Sequence, residues 1–451
     1  MTITTDLGEE VHRGVLEVLV ASAAPACQSF AELLERVPGA YPPDVAGALQ
    51  RLTALRLIDD ATCTRLTRDR GHWTAAAGTG EAWELVLPEP HPLDYDWRWE
   101  RRTVSQLLDR CLRLSRRDDM IALLGTPTLL HAAATSAMPR RWVLLESSLA
   151  TTAALAGIAP GDVICCDLAR DHLPPLDAKV VVADPPWYPE HSRAFVWAAA
   201  QFTRPGATVL LAQPAAVTRP GVLRERAELL AFAHAAGLET IRVLPGALAY
   251  VCPPFEVTAL RASGLFAATP RDWRRGDLIE LRRSAGGSVP RPVLQRDEAW
   301  QEVVLSGARI RFLPDHPMAG QMPADPRLRR LIDGDVLATV SRRDPVRRQV
   351  CVWTSSNRVF ACHNPGLLAA LAAALAGGAS VARAARTYLG RVPAGSERQA
   401  IAQAARQLAE LARVEASDSR LPAASPAIIS GWQDQPAGWQ PGNAKAARNA
   451  P

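Results

Sequence analysis

The sequence predicts an α/β protein whose central domain is an open, doubly wound sheet of mainly parallel strands. Between residues 90 and 266, short apolar runs alternate with helical segments, and the runs lack the polar alternation of half-exposed strands. A helical region precedes this domain, and short strands with two alanine-rich helices follow it. We therefore predict a winged helix at 1–78, the sheet domain at 90–266, a small α+β domain at 270–416 and a disordered tail at 417–451.

Composition describes an ordinary globular chain and sets few limits on its partners. The 451 residues include 51 basic and 46 acidic side chains, the formal net charge is +5, and 48% of the residues are hydrophobic. A charge this small on a chain this long is compatible with nucleic acid but does not require it. The sequence has no run of 18 apolar residues, no signal-peptide pattern and no C-x-x-C pair among its eight cysteines. We therefore expect a reduced cytoplasmic protein without a membrane segment or a metal site.

The first domain has the pattern of a winged helix. Helical periodicity marks residues 11–20, 29–37 and 44–57, with Ser29 as the N-cap of the second helix and a Pro-Pro pair opening the third. The polar, arginine-dotted stretch 57–70 is predicted to form the wing. Two roles stay open for this domain: DNA binding through the third helix, and a packing or dimerisation module, in line with a possible homodimer.

The middle domain provides the strands on which a site is predicted. Seven strands are predicted in it, at 120–124, 142–145, 163–166, 179–183, 207–211, 240–243 and 256–262. Ligands of an open parallel sheet bind outside the carboxyl ends of its strands, so the residues that follow each strand are candidate site residues. A glycine and three carboxylates follow the first four strands in order, and this series is more specific than any single member. The segment 253–256, before the last strand, is predicted to be a loop beside the acceptor pocket.

The first three strand ends suit a nucleoside cofactor. Gly125 and Thr126 follow the first strand, and a glycine there lets a ligand approach the backbone closely. Glu146 ends the second strand, about 20 residues later, where a carboxylate accepts hydrogen bonds from ribose hydroxyls. Asp167 follows the third strand and is placed to face an adenine amino group. The pattern G-x-G-x-x-G is absent, so a dinucleotide is not predicted.

The fourth strand end carries the most informative segment, Asp184-Pro185-Pro186-Trp187, which is followed by Tyr188. An exocyclic amine is a poor nucleophile because its lone pair is delocalised into the ring. A carboxylate and the Pro185 carbonyl can accept both N–H bonds and localise that lone pair on nitrogen. The two prolines stiffen the loop, and Trp187 or Tyr188 offers a face on which the acceptor stacks. The tetrapeptide therefore predicts an amine acceptor without identifying the amine.

This order of motifs resembles the class I S-adenosylmethionine-dependent transferases, and the tetrapeptide resembles the motif of enzymes that methylate adenine N6 or cytosine N4. The resemblance covers residues 91–265 and implies a Rossmann-like class I methyltransferase sheet. It also implies that S-adenosylmethionine binds at four residues, namely Gly125, Thr126, Glu146 and Asp167. The acceptor that it implies is a nucleic acid or a small amine.

Within that superfamily, the chain is similar to the branched-chain polyamine synthases, which transfer aminopropyl groups from decarboxylated S-adenosylmethionine. The shared features are an N-terminal winged helix, an acidic approach segment (residues 91–98 here), a strand followed by a glycine loop, and a strand that ends in Asp-Pro-Pro-aromatic. The similarity implies that Asp94, Asp96 and Glu190 bind ammonium groups of the acceptor. The chain differs at 126–128, where Thr-Pro-Thr stands in place of a cluster of aspartates, and this difference favours methyl over aminopropyl transfer.

Three functions stay open at this point. The leading hypothesis is an S-adenosylmethionine-dependent N-methyltransferase that acts on an amino group, of which the exocyclic amine of a nucleic acid base is one example. The second is an aminopropyltransferase of the branched-chain polyamine synthase type. The third is a non-catalytic regulator with a degenerate transferase fold, a hypothesis motivated by the missing second glycine of the cofactor loop.

The sequence of the third domain says the least about function. Strands at 334–341 and 349–354 are predicted to pair across a basic turn, and helices are predicted near 365–376 and 395–416. The arginines of the turn are Arg342, Arg343, Arg347 and Arg348. A run of this kind is typical of a solvated turn, and phosphate binding is the alternative.

Overall fold

The computed structural model describes residues 3–68, 86–159, 162–265, 268–284, 286–294, 298–316, 325–341 and 344–418. Thirteen α-helices and thirteen strands lie within them. The helices are α1 (Ile3–Ala23), α2 (Phe30–Arg36), α3 (Pro42–Ala54), α4 (Asp60–Arg68), α5 (Arg101–Leu114), α6 (Pro127–Thr135), α7 (Leu149–Ala156), α8 (Pro189–Gln201), α9 (Val222–Ala235), α10 (Pro254–Ala262), α11 (Pro365–Ala376), α12 (Val381–Leu389) and α13 (Gly395–Asp418). The strands are β1 (Arg98–Trp99), β2 (Met120–Leu124), β3 (Arg141–Glu146), β4 (Val163–Cys165), β5 (Ala178–Ala183), β6 (Thr203–Pro214), β7 (Leu238–Val251), β8 (Arg275–Arg283), β9 (Gln301–Leu305), β10 (Ala308–Phe312), β11 (Arg329–Arg330), β12 (Val352–Thr354) and β13 (Val359–Ala361).

The larger sheet has eight strands in the order β1-β7-β8-β6-β5-β2-β3-β4. The five strands from β2 to β6 run parallel, and helices α6, α7 and α8 connect them. Strand β8 lies antiparallel between β6 and β7, and β1 is antiparallel to β7 at the edge. The prediction of a Rossmann-like α/β sheet is confirmed.

Both faces of the parallel strands are buried, which explains their continuous apolar runs. Along β2, Ile121 and Leu123 pack in one hydrophobic cluster with α5 and α6. Ala122 and Leu124 point to the other face and pack in a second cluster with α8 and α9. Because helices cover both faces, the carboxyl edge of the sheet is where side chains after the strands can meet a ligand.

Six of the seven predicted strands are confirmed, and the last is wrong. Residues 256–262 belong to α10, in which Pro254 opens the first turn and Glu256 lies within that turn. Proline at the start and an acidic residue in the first turn are helix-start signals, and here they outweigh the apolar run that follows. The segment 253–256 is therefore the start of a helix and not a loop before a strand.

The last strand of the larger sheet is β8, which the sequence analysis assigned to the third domain. Its nine residues pair with both β6 and β7. Residues 275–283 therefore pair within the larger sheet, and the domain boundary after them stays a prediction.

The N-terminal region contains α1 to α4 and packs on the sheet domain. Ser29 caps α2 as predicted, since its Oγ accepts a hydrogen bond from the Glu32 N–H at 3.2 Å. The hydrophobic cluster of this region includes Leu260 of α10 and Trp273. Most of the stretch 57–70, which was predicted to form the wing, is instead helical, because α4 covers Asp60–Arg68. The end of the predicted wing at 69–70 lies outside the described residues, and the winged helix stays a prediction.

The C-terminal domain is α+β, as predicted. Its sheet has five strands in the order β11-β13-β12-β10-β9, all antiparallel, and α11 and α13 share a hydrophobic cluster with it. These two helices confirm the predicted pair near 365–376 and 395–416. Helix α12 was not predicted. None of the helices in the described ranges is long and apolar enough to cross a membrane.

The predicted pairing of residues 334–341 with 349–354 is wrong. Strand β12 pairs with β10 and β13, and Val336 bridges to Arg358. Residues Pro345–Gln349 form a 3-10 helix in which Asp344 accepts a hydrogen bond from Val346 N–H. Two arginines of the basic turn, at 342 and 343, lie outside the described residues, as does the predicted tail after residue 418.

Candidate active site

The carboxyl ends of β2, β3 and β5 bring the predicted cofactor loop and the tetrapeptide together. The Asp184 N–H donates to the Leu124 carbonyl at 3.1 Å, and the Gly125 N–H donates to the Leu145 carbonyl at 3.0 Å. A Cβ atom placed on Gly125 would lie 3.3 Å from the carbonyl oxygen of Asp184. The two segments therefore adjoin at one edge of the sheet.

Gly125 and Thr126 leave both space and an unbonded polar atom at the cofactor loop. Gly125 has a φ of +62°, and a Cβ there would lie 3.2 Å from the ring of Phe195, so a side chain at this position would be strained. The Thr126 Oγ1 is buried and has no hydrogen-bond partner within the described ranges. A buried hydroxyl without a partner is costly, and a polar group of a bound ligand would satisfy it. The loop therefore fits a nucleoside cofactor.

Glu146 ends β3 as a half-buried acid. Its Oε1 accepts a hydrogen bond from the Ser148 N–H at 2.8 Å. The pKa of Glu146 is raised to about 7, mainly by burial. The hydrogen bond from the Ser148 N–H opposes this shift, and the nearby carboxylates of Asp96 and Asp94 add to it. One oxygen is thus fixed by the backbone, and the other is suited to a ribose hydroxyl.

Asp167 lies in the turn after β4, and its carboxylate is bonded to that turn. Oδ1 accepts from the Ala169 N–H at 2.9 Å, and Oδ2 accepts from Arg170 at 2.7 Å. The Asp167 N–H in turn donates to Asp171 at 2.8 Å. The adenine contact predicted for Asp167 would therefore compete with Arg170 for Oδ2.

Asp184 is held by a residue that the sequence analysis did not select. Tyr250 of β7 is 1% exposed, and its hydroxyl donates to Asp184 Oδ1 at 2.9 Å. Burial raises the pKa of Asp184 well above its usual range, the Tyr250 bond lowers it, and the Asp96 carboxylate raises it. Among the described residues, the other oxygen of Asp184 has no donor. It can therefore accept a hydrogen bond from a ligand.

The ring of Trp187 is less open than predicted. Its centroid lies 5.3 Å from that of Tyr250 at an interplanar angle of 89°. The guanidinium carbon of Arg274 lies 4.6 Å from the Trp187 centroid and 3.7 Å from the Trp97 centroid. A cation therefore takes part of the surface on which an acceptor was expected to stack.

Tyr188 belongs to a second aromatic group beside the tetrapeptide. Its N–H donates to the Pro186 carbonyl at 2.7 Å, and its ring meets Tyr95 edge-on at 5.5 Å. Tyr95 also lies 6.0 Å from the ring of His191. The φ of Tyr95 is +54°, a conformation that is uncommon for a residue with a bulky side chain. Residues in such sparsely populated backbone conformations cluster at functional sites, and in this conformation the ring of Tyr95 contacts that of Tyr188.

The three acids predicted to bind the acceptor differ in their surroundings. Asp94 accepts hydrogen bonds from Arg309 and Arg311 of β10 and from the His91 N–H. Although burial raises the pKa of Asp94, the two arginines hold it well below its usual range. Its bonding is thus that of a contact with the C-terminal domain and not that of an open acceptor ligand.

Asp96 and Glu190 lie closer to the tetrapeptide. Asp96 pairs with Arg98 at 2.6 Å but is near enough to Asp184 and Glu146 to raise the pKa of each. Glu190 lies in the first turn of α8, directly after the tetrapeptide loop. Both acids therefore remain candidates for binding a cationic acceptor.

Tyr250 and Arg274 are the site residues that sequence reasoning missed. Neither follows a parallel strand: Tyr250 lies near the end of β7, and Arg274 immediately precedes β8. They enter the site because β7 and β8 pair antiparallel, with the Tyr250 N–H donating to the Arg274 carbonyl at 3.0 Å. A prediction of that pairing would have found both.

Comparison with known proteins gives similarity in structure alone. No family model matches the sequence, and no curated protein matches it. The chain is similar to the branched-chain polyamine synthase from Thermus thermophilus in complex with N4-aminopropylspermidine and 5'-methylthioadenosine, with a TM-score of 0.49, 16% identity, and coverage of 65% of this chain and 95% of that chain. A mutein of that enzyme gives the same TM-score and identity, with 64% and 95% covered. A Pyrococcus horikoshii protein assigned as an RNA methyltransferase gives a TM-score of 0.32 and 14% identity, with 44% and 92% covered.

Proposed function

We propose that this chain is an S-adenosylmethionine-dependent N-methyltransferase that acts on an amino group. The observation that carries the proposal is the Asp184 carboxyl, which follows a central parallel strand, bonds Tyr250 and adjoins the Gly125 loop. With the Pro185 carbonyl beside it, this carboxyl supplies two acceptors for one amine. The acceptor class includes the exocyclic amine of a nucleic acid base, which would be flipped out of a duplex, and small amines.

Four residues would hold the cofactor across the ends of β2, β3 and β4. Gly125 would allow the close approach, and the buried Thr126 hydroxyl would gain a partner. Glu146 would accept hydrogen bonds from ribose hydroxyls, and Asp167 would face the adenine. When bound, S-adenosylmethionine supplies a methyl group on a sulfonium, whose sulfur is a good leaving group.

Asp184 would orient the acceptor amine and then take its proton. Tyr250 occupies Oδ1, so the other carboxyl oxygen accepts one N–H and the Pro185 carbonyl accepts the other. Both bonds draw the lone pair onto nitrogen, and positioning accounts for most of the rate. The methylated amine carries a surplus proton, and burial, which raises the pKa of Asp184, makes this carboxylate a suitable base.

Tyr250→Phe is expected to lower kcat/KM by about 10- to 100-fold, because a hydrogen bond to a charged group contributes about 1.5–3 kcal/mol. The Tyr250 bond lowers the pKa of Asp184, so its loss raises that pKa. The acidic limb of the pH–rate profile should therefore move to higher pH in the variant. A profile of unchanged shape with a lower plateau would indicate a packing role for Tyr250 instead.

Glu146→Gln is expected to weaken S-adenosylmethionine binding and to remove its pH dependence. With a pKa of about 7, the carboxylate fraction of Glu146 grows as the pH rises through neutrality, and the carboxylate is the stronger acceptor. Wild-type affinity should rise between about pH 6 and about pH 8, and the variant should bind about tenfold more weakly at the upper end. Calorimetric titrations of both proteins over that range check this. Parallel pH curves for the two would contradict it.

Aminopropyl transfer is the second candidate, and the grouping of carboxyls favours it. The Asp96 carboxylate raises the pKa of both Asp184 and Glu146, so its negative charge lies near both acids. A substrate with several ammonium groups would relieve that repulsion. Decarboxylated S-adenosylmethionine would then be the donor. The arginines on Asp94 and the Arg274 cation weigh against this candidate.

A paired titration tests the proposal. Purified protein is titrated with S-adenosylmethionine and with its decarboxylated form, and methyl-labelled cofactor is then incubated with DNA, RNA and a set of small amines. Tighter binding of S-adenosylmethionine, with label recovered on nitrogen, is expected. Preference for the decarboxylated form would replace the proposal with aminopropyl transfer. Binding of neither would favour a non-catalytic regulator.

A further inference from the structure

Arg274 places a cation beside the proposed acceptor position. Its guanidinium carbon lies over the rings of Trp97 and Trp187, and the Trp187 ring in turn meets Tyr250, which bonds Asp184. The side chain is half-buried. Burial lowers the pKa of Arg274 and nearby acids raise it, but an arginine stays charged in proteins at any ordinary pH.

Arg274 has no carboxylate partner in the part of the chain that the structure describes. Its Nε is buried and unbonded. The acid that most favours its charge is Glu256, which is fully buried and has both carboxyl oxygens unbonded. Burial raises the pKa of Glu256 to about 7, so this acid is only partly ionised at neutral pH and offsets the Arg274 charge only in part.

Several arginines of low exposure in the described ranges pair with carboxylates. Arg309 bonds Asp94 and Glu302, and Arg226 pairs with Asp277 at 2.7 Å. Arg358 pairs with the buried Glu415 at 2.9 Å. These pairs follow the rule that a charge taken out of water keeps a counter-ion. Arg283 and Arg291, which lack such a pair, donate to backbone carbonyls, whereas no hydrogen bond or ion pair joins the Arg274 side chain to another described residue. Arg274 departs from the rule at the mouth of the proposed site, where a ligand could supply the counter-ion.

We propose that Arg274 binds an anionic oxygen group, a carboxylate or a phosphate, on the acceptor. This inference rests on the proposed function and narrows its substrate class to an amine that also carries an anionic group. The two tryptophan rings fix the plane of the guanidinium, and its fork of N–H donors matches the oxygens of either anion. The amine binds at Asp184 and the anion binds at Arg274. A polycationic amine is repelled by the same charge.

Matched probe pairs test this in calorimetric titrations of the full chain without cofactor. Adenosine 5'-monophosphate is compared with adenosine, 3-aminopropanoate with propylamine, and spermidine serves as the polycation. In at least one pair, the probe with the anionic group is expected to bind about tenfold or more tightly than its counterpart without that group, in line with one charge-assisted hydrogen-bonded pair. The pair that shows the preference identifies the anion as phosphate or carboxylate. Equal binding within both pairs, or tighter binding of spermidine, overturns the proposal.

Variants show whether Arg274 is responsible. Arg274→Gln is expected to remove the preference, and Arg274→Lys, which keeps the charge but loses the fork, to retain part of it. Arg275→Gln is the matched control, because the neighbouring Arg275 already pairs with Asp272 at 2.7 Å, and it should keep the full preference. If Arg274→Gln does not fold, a Lys variant with unchanged preference overturns the role of the guanidinium fork.

The two proposals fail in different ways. If the wild-type protein does not bind S-adenosylmethionine but still prefers the probe with the anionic group, only the methyltransferase function is refuted. Cofactor binding and Asp184-dependent transfer with no effect of Arg274→Gln on the anion preference would refute this inference alone.

Discussion

Asp184→Asn should lower the rate of methyl transfer by about 10³-fold while changing cofactor affinity less than about threefold. The asparagine has the same shape, so Tyr250 can still donate to its carbonyl oxygen. Its amide nitrogen, however, carries hydrogens where the acceptor amine needs a hydrogen-bond acceptor. The lone pair then stays delocalised, and the surplus proton has no base.

Asp177→Asn is the matched control for this experiment. Asp177 precedes β5 and Asp184 follows it, so the two acids lie at opposite ends of one strand. Asp177 is 54% exposed and pairs at the surface with Arg204. Single-turnover rates with labelled cofactor should fall for Asp184→Asn and stay unchanged for Asp177→Asn. Equal losses of rate and cofactor affinity in Asp184→Asn would mean that the carboxyl maintains the fold of the loop and takes no part in transfer.

Asp94→Ala should lower the free energy of unfolding by about 3 kcal/mol, because removal of one partner leaves buried charges uncompensated. Asp94 is 16% exposed, and the arginines that it joins, Arg309 and Arg311, are 10% and 17% exposed. Glu302 still pairs with both arginines in the variant, which limits the loss. Urea unfolding followed by tryptophan fluorescence measures the difference.

The pH dependence of that difference has a definite sign. The folded-state pKa of Asp94 lies well below its ordinary value of about 4, so its contribution is complete above about pH 4. As the pH falls below that value toward the folded-state pKa, the wild-type protein should lose its advantage over Asp94→Ala. Asp177→Asn, which disrupts an exposed pair, should cost no more than about 1 kcal/mol at any pH. A difference between wild type and Asp94→Ala that is independent of pH would show that cavity formation and not charge explains the loss.

The sequence revealed the strand ends because their signals are local. Gly125, Glu146 and Asp184 each end or follow an uninterrupted apolar run, and parallel strands collect such residues at one edge of the sheet. The N-cap Ser29 was likewise predicted from its neighbours. In each case the residues that determine the prediction lie within a few positions of the predicted site residue or helix cap.

The residues that complete the site depend on contacts between distant segments. Tyr250 reaches Asp184 across 66 residues of sequence, and Asp94 meets Arg311 across 217. The local sequence around an acid before a strand is the same whether its charge is neutralised by a ligand or by an arginine of another domain. Sequence reasoning therefore placed Asp94 at the acceptor. Its ion pairs with Arg309 and Arg311 of β10 show that it binds arginines of the C-terminal domain instead.

The position of β8 has a consequence for how the chain is made. Strand β8 is synthesised after β6 and β7 but lies between them, so these two long strands have no common neighbour until about residue 283 has emerged from the ribosome. Until then each presents an unpaired edge, which is an aggregation hazard. The insertion also sets Tyr250 against Arg274, so these two residues of the proposed active site meet only when β8 is in place. A nascent chain released before β8 would carry every residue proposed to hold the cofactor and would lack the strand that joins β6 to β7.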